Sequence, residues 1–345
     1  MQGIPLNERK RLGALLDDRP QTEVMAMIPQ FSQAETDNFV APPAQIPEAL
    51  GVLMFNMERG VNLPEIQEFL RDCPDIQPFD VILANELDDG CARSGNKNTA
   101  RELAQAFGLN YAWGLEFIEL VNDENAKGFH GNAVFSRWPI RRAGVIRLPE
   151  QYNWYFDRQK RIGARVAIVC SLDIGGREVG AVSVHLENRA DSEGRAAQMA
   201  VVYDEIKRSF APDTPVMIGG DLNTNTFDGR AKEDIGAIAA DPALRRRCLE
   251  DVGSFEPLLP LCAADGYEIV PKEPRLTRRK PLPNGDSLPL RLDWILLKGV
   301  TASESRMIST AKEDLTYAKP GSALERFQGA ELSDHNAVWA MCRLR

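Results

Sequence analysis

Val216-Met217-Ile218-Gly219-Gly220-Asp221-Leu222-Asn223 reads as a short apolar strand that stops on an aspartate and an asparagine. A run of this length bounded by glycine is the mark of a buried strand, and polar groups placed at its end are free for chemistry. The arrangement recurs in both directions along the chain. Val52-Leu53-Met54-Phe55 leads into Asn56, Val81-Ile82-Leu83-Ala84 leads to Glu86, and Val179 to Val184 leads into His185. Asp334 and His335 close the series. Ala133-Val134-Phe135, Ala164 to Val169, Leu292 to Leu296 and Ala337 to Met341 are further strand candidates.

Helical patterns lie between these runs. Pro64 sits where a helix carrying Ile66, Phe69 and Leu70 begins. Thr99 with Glu102 spells a capping box for a helix carrying Leu103 and Phe107 and stopped by Gly108. Another helix is expected from about Glu193 to Arg208. Strands alternating with helices predict sheets covered by helices, and in such layered folds strand ends share one rim, where residues distant in sequence converge. A rim of Asp, Glu, Asn and His suits Mg²⁺ or Mn²⁺ and phosphate chemistry, whereas the lack of clustered Cys and His argues against structural zinc.

The 345 residues carry a formal charge of −9, so no overall field draws in nucleic acid, and a polyanion has to be held by a local basic patch. Arg275, Arg278, Arg279 and Lys280 form the densest such patch, read first as a solvated loop and second as a grip on a phosphorylated substrate. The six cysteines are widely spaced without a CxxC pair, the pattern of reduced structural thiols. No apolar segment follows the basic residues near the start, and no run of about 18 apolar residues occurs. A cytoplasmic protein without a transmembrane segment is expected, and no protein partner is legible. Residues 1–50, with Leu12, Leu15, Leu16 and the Pro-punctuated Ala41-Pro42-Pro43-Ala44, read as an N-terminal extension to a domain spanning 51–345. The weakly patterned stretch from about 227 to 290 reads as a loop-rich insertion beside the site.

The strand-end residues sit in segments that resemble, in order, the signature of the endonuclease/exonuclease/phosphatase superfamily with its deoxyribonuclease-I-like fold. The segments are Phe55-Asn56-Met57-Glu58-Arg59-Gly60, Asn85-Glu86-Leu87, Gly131 to Ile140, His185-Leu186-Glu187-Asn188, Gly220-Asp221-Leu222-Asn223, Arg291-Leu292-Asp293-Trp294-Ile295 and Ser333-Asp334-His335. Any one alone is weak; seven in order are specific. The resemblance covers about Gly51 to Arg345. It implies a four-layer α/β sandwich, two mixed β-sheets face to face with helices outside, and a metal-dependent hydrolase of phosphate esters.

It also implies roles. Glu86 is the main metal ligand, with Asn56 and Asp334 near the Mg²⁺ or Mn²⁺ ion or its waters. Asp221, oriented by Asn223, aligns or deprotonates the attacking water. His335, held by Asp293, and His185 face the phosphate from opposite sheets, where imidazolium N–H groups stabilise gathering charge. Arg165, Asn132 and His130 are candidate substrate contacts; His130 reads equally as a loop histidine, Asn132 as a turn residue and Asp293 as an ion-pair partner of Arg291. A phosphodiesterase or nuclease-like activity ranks first because of the Arg-containing insertion. A phosphatase or phospholipase-C-type activity on small phosphomonoesters, inositol phosphates or sphingomyelin-like headgroups is the alternative, since the chain is acidic. A binding module that lost the chemistry is a third reading, countered by the presence of every motif residue.

Overall fold

The computed structural model describes residues 1–157, 159–224, 232–282 and 284–345. Its strands, in chain order, are β1 (Ala34–Asp37), β2 (Leu50–Asn56), β3 (Val81–Asp89), β4 (Asn110–Glu119), β5 (Phe129–Ser136), β6 (Ile140–Arg147), β7 (Arg161–Gly163), β8 (Val166–Ile174), β9 (Arg177–His185), β10 (Val216–Asp221), β11 (Glu268–Val270), β12 (Arg278–Pro281), β13 (Ser287–Leu290), β14 (Asp293–Lys298), β15 (Val300–Ile308) and β16 (Ala337–Leu344). One sheet has the order β1-β4-β5-β3-β2-β16-β15, with β7 alongside β4. The second has the order β11-β14-β10-β9-β8-β6, and β12 with β13 forms a separate hairpin.

Strand periodicity explains why the central strands are apolar on both faces. Along β2, Val52 and Met54 enter a core shared by the two sheets, while Leu53 and Phe55 enter a core beneath the helices Leu63–Asp72 and Thr99–Phe107. Met217 of β10 faces the shared core, while Val216 and Ile218 face a third core against the helix Ser192–Ser209. Three cores separated by two sheets make four layers, the fold class expected from the sequence. Residues 1–37 belong to this body: Ile4, Leu12, Leu16, Val24, Ile28 and Phe31 join the first core, and β1 pairs with β4.

The sheets approach closely near the site. A Cβ on Gly219 would lie 2.6 Å from Leu83 Cδ1, so this position of β10 has no room for a side chain. Beside it Asn85, fully buried, donates from Nδ2 to Ser183 Oγ (3.2 Å) and accepts the Asp221 backbone N–H at Oδ1 (2.7 Å). Buried amides are stable only when so satisfied, and this one fixes the end of β3 against the ends of β9 and β10.

Several local expectations change. The cap of the helix Thr99–Phe107 is Asn98, whose side chain accepts from Arg101 N, because the Thr99 hydroxyl bonds the Asp88 carbonyl instead (2.7 Å). Gly108 does end that helix, at φ 58°. The strand expected over Ala164–Val169 starts two residues later: Ala164 and Arg165 lie between β7, which ends at Gly163, and β8, which starts at Val166. The stretch from 227 to 290 carries, among its described residues, the helices Lys232–Ala240, Pro242–Glu250 and Leu258–Ala264 and the strands β11 to β13. Arginines 245, 246 and 247 on the second of these helices mask its period in the sequence; residues 225–231 lie outside the described residues. The six cysteines are buried and unpaired. Among the described residues no helix is long and apolar enough to cross a membrane.

Candidate active site

Sheet register assembles the rim. In β9, β10 and β14, His185 stands beside Asp221, and Asp221 beside Asp293. In the facing sheet Asn56 at the end of β2 stands beside Asn85 of β3, and Glu86 occupies the break in register that follows. His335 lies two residues before β16, which pairs with β2. Six non-glycine residues among those described adopt positive φ, and four lie in these segments: Glu58 (42°), Arg59 (67°), Glu86 (56°) and Asn223 (49°). Backbone held in that region costs about 1–3 kcal/mol per residue and is concentrated around the rim, where the side chains of Asn56, His185 and His335 meet at one point.

That point is Asp221 Oδ2. Asn56 Nδ2 lies 3.2 Å from it, His335 Nε2 3.5 Å and His185 Nε2 3.6 Å. Oδ1 of the same carboxylate accepts the Asn223 backbone N–H (2.9 Å), while the Asn223 side chain donates to the Leu186 carbonyl (2.9 Å). Asn223 thus orients Asp221 through its main chain. Asn56 Nδ2 also lies 3.4 Å from Glu86 Oε1, so one amide faces two carboxylates.

Each histidine is fixed from behind. His335 Nδ1 is 2.8 Å from Asp293 Oδ2. Burial alone would lower this imidazole, but Asp293 and Asp221 outweigh it and push the pKa up to about 10, so the ring carries its proton at neutral pH. His185 Nδ1 is 3.2 Å from Glu116 Oε2. Glu116, fully buried on β4, also takes Arg165 Nη1 on Oε1 (2.9 Å) and Asn132 Nδ2 on Oε2 (3.4 Å). Burial opposes its charge, yet His185 and Arg165 hold the carboxyl well below the usual range. Glu116 was missing from the sequence reading. It lies inside a strand rich in aromatics, and no turn or strand end marks it.

Not every expected residue reaches the centre. Asn132 stands behind Glu86, accepting its backbone N–H (3.1 Å). His130 is one step further back, 1% exposed, with Nδ1 2.8 Å from Asp88 Oδ1. Arg165 is 4% exposed and held by Glu116, by Glu187 (3.2 Å) and by Asn188 (3.1 Å), with Nη1 also against the His185 ring (2.9 Å to Nε2). Asp334 lies at the edge, 34% exposed, paired with Arg278 (2.7 Å). Arg161 was not singled out. Its guanidinium lies between the rings of Phe117 (4.1 Å) and Trp154 (4.0 Å), and its Nε is buried without a hydrogen-bond partner.

A hard divalent cation fits this donor set. Glu86, Asp221 and Asp334 offer carboxylate oxygens, while Asn56 keeps its Oδ1 on the Glu58 N–H (3.1 Å) and turns Nδ2 to the carboxylates, a placement that suits the waters of an ion. Despite burial, Arg59 and the three histidines keep Glu86 well below the ordinary range and therefore ionised. Glu58 is raised by burial and then by Asp334 and Glu86, a sign of surplus negative charge. Asp221, Asp293 and His335 also bring one ligand atom each within 4.8 Å of one another. The 2.8 Å His335–Asp293 pairing makes that trio an orienting arrangement first, with the Glu86 side left for an ion.

The model of the Endonuclease/Exonuclease/phosphatase family matches residues 55–335. No curated protein matches the chain. Among solved structures, an endonuclease/exonuclease/phosphatase from Beutenbergia cavernae is 18% identical, with 86% of this chain and 72% of that one covered and a TM-score of 0.51. TDP2 from D. rerio, complexed with a single-strand DNA product, is 17% identical over 86% of this chain and 100% of that one, TM-score 0.51. The human Nocturnin catalytic domain with bound sulfate is 17% identical over 92% and 98%, TM-score 0.51. At such identities the likeness is one of fold.

Proposed function

The chain belongs to the endonuclease/exonuclease/phosphatase family, whose members are phosphoester hydrolases, and from that premise we propose a divalent-metal-dependent phosphodiesterase of the nuclease type. The observation that carries this reading is the meeting of Asn56, His185 and His335 around Asp221 Oδ2, from both sheets, within 3.2–3.6 Å. A carboxylate so surrounded is placed to align a water and take its proton. Protonated His335, locked by Asp293, donates from Nε2 to a phosphoryl oxygen, and His185, locked by Glu116, faces the same group. Glu86 and Asp334 would hold Mg²⁺ or Mn²⁺, with Asn56 beside the waters of the ion. When bound, the ion supplies neutralisation of the phosphoryl charge.

Arg161, which has no carboxylate partner among the described residues, is better suited than the fully engaged Arg165 to meet substrate phosphate. Arg59, 3.8 Å from Glu86, and Arg278 add positive charge at the edge and favour a diester or nucleic-acid substrate despite the net charge of −9. That net charge keeps the small phosphomonoester or phospholipid headgroup as the second reading. Six free, buried thiols support a cytoplasmic location.

The test is hydrolysis of bis-p-nitrophenyl phosphate, p-nitrophenyl phosphate, single- and double-stranded DNA, RNA, inositol phosphates and sphingomyelin, with Mg²⁺, Mn²⁺ or EDTA. Turnover of diesters that needs the metal and disappears in Asp221→Ala is the expected result. Turnover of monoesters alone, indifferent to salt, transfers the assignment to the second reading.

A further inference from the structure

We infer that Arg278 is a phosphate-binding residue contributed by the β12–β13 hairpin, resting on Asp334 in the free protein and turning to the substrate's phosphoryl oxygens when Asp334 turns to a divalent cation. The inference rests on the phosphoester reading above and adds to it a residue from outside the seven motif segments.

The basic cluster 275–280 reads from sequence as a solvated loop. Its backbone is instead bound on both sides to segments of the site. Thr277, fully buried, donates its N–H to Leu290 O (2.8 Å), and its Oγ1 accepts from Leu292 N (2.8 Å) and Asp293 N (3.2 Å). Its carbonyl accepts Asn336 N (2.8 Å), and Arg278 itself forms a β-bridge with His335. The hairpin root is thus held between the residue that orients His335 and His335 itself, and Arg278 is delivered at a fixed place. Arg275 in the same cluster pairs with Glu273 on the exposed surface (3.2 Å).

The guanidinium of Arg278 is only partly engaged. Nη2 lies 2.7 Å from Asp334 Oδ2, while Nε is buried with no hydrogen-bond partner. The β-bridge to His335 and the pairing with Asp334 set the head group at the edge of the catalytic centre. A guanidinium edge presents parallel donors that match two oxygens of a phosphate, and a phosphate at the centre gives the unused Nε an acceptor. Asp334 is at the same time a carboxylate that a divalent ion competes for. Arg278 and the ion therefore share one anchor, and occupation by the ion releases the arginine toward the substrate.

The experiment measures binding first, by calorimetry on the full chain, with Mn²⁺ alone and then inorganic phosphate on the Mn²⁺-loaded protein. Wild type, Arg278→Ala, Arg278→Lys and the control Arg275→Ala are compared, with thermal unfolding to confirm folding. Arg278→Ala is expected to weaken phosphate by ~10- to 100-fold, the loss of one charge-assisted pair, and to bind Mn²⁺ several-fold more tightly than wild type. Arg278→Lys recovers part of the phosphate affinity and Arg275→Ala changes neither. Unchanged phosphate affinity in Arg278→Ala, no phosphate binding by wild type, or weaker Mn²⁺ binding in Arg278→Ala each overturns the inference, the last by making Arg278 a support for Asp334. These readouts need no turnover. A protein that binds phosphate through Arg278 yet hydrolyses nothing contradicts the proposed function and leaves this inference standing.

Discussion

Replacing Asp293 by asparagine removes one charge and changes no volume, which isolates what that charge does. His335 is pushed from 6.5 to about 10, equivalent to about 5 kcal/mol of preference for the protonated ring, supplied by several acids together. Asp293 is the largest of them and the only one in hydrogen-bond contact at Nδ1, so its loss lowers the pKa, with Asp221 and Asp334 retaining part of the rise. The chain has three histidines, which makes the measurement simple: imidazole proton signals are followed against pH by NMR in the metal-free protein, wild type and Asp293→Asn. Stability gives a second readout. A histidine raised above its unfolded value contributes in full below pH 6.5 and loses that contribution as pH climbs through about 10. Burial and Asp221 raise Asp293 itself, against His335, to about 6, so the pair is fully ionic between about 6 and 10. The His335 share of the stability gap between the two proteins is expected to be at its full size below about pH 6.5 and to close as pH climbs through about 10. Wild-type His335 titrating near 6.5, or moving by less than about half a unit in the variant, refutes the reasoning.

Other changes probe the frame around the site. Asn85→Ala removes two of the bonds that join β3 to β9 and β10, leaving Ser183 Oγ on the Ala84 carbonyl, and is expected to cost about 2–4 kcal/mol in urea unfolding, because Asp221 N is left buried without its acceptor. Glu116→Gln leaves Arg165 with one carboxylate fewer and unlocks His185, so about 3–5 kcal/mol of stability and most of kcat are lost together; denaturant unfolding and steady-state rates check this. Gly219→Ala drives a methyl into Leu83 and is expected to cost about 1–3 kcal/mol with a larger fractional fall in kcat, since the displaced strand ends on Asp221.

The residues legible in the sequence are those that end strands. A polar group directly after an apolar run marks a strand end, which is why Asn56, Glu86, His185 and Asp221 stood out as candidates, while their roles and the four layers came from the resemblance of the seven ordered segments to the family. Glu116 has no such marker: it sits between Leu115 and Phe117 within a buried strand, and only tertiary contact with Arg165 and His185 makes its charge tolerable. Arg161 and Arg165 look interchangeable in Arg161-Ile162-Gly163-Ala164-Arg165, yet one is committed to two carboxylates and the other to two aromatic rings. That difference arises from which strands flank them, and no local pattern encodes it. The first fifty residues read as an appendage because their apolar residues are sparse, but six well-spaced side chains suffice to join a core.

Asn56 and Glu86 come from one sheet, while His185, Asp221 and Asp293 come from the other. Neither sheet alone, however well formed, brings together Asp221, the carboxylate proposed to align the water, and the donors around it. Hydrolytic capacity is therefore an all-or-none property of the docked sandwich, and a nascent or half-unfolded chain is chemically silent toward the phosphoesters around it.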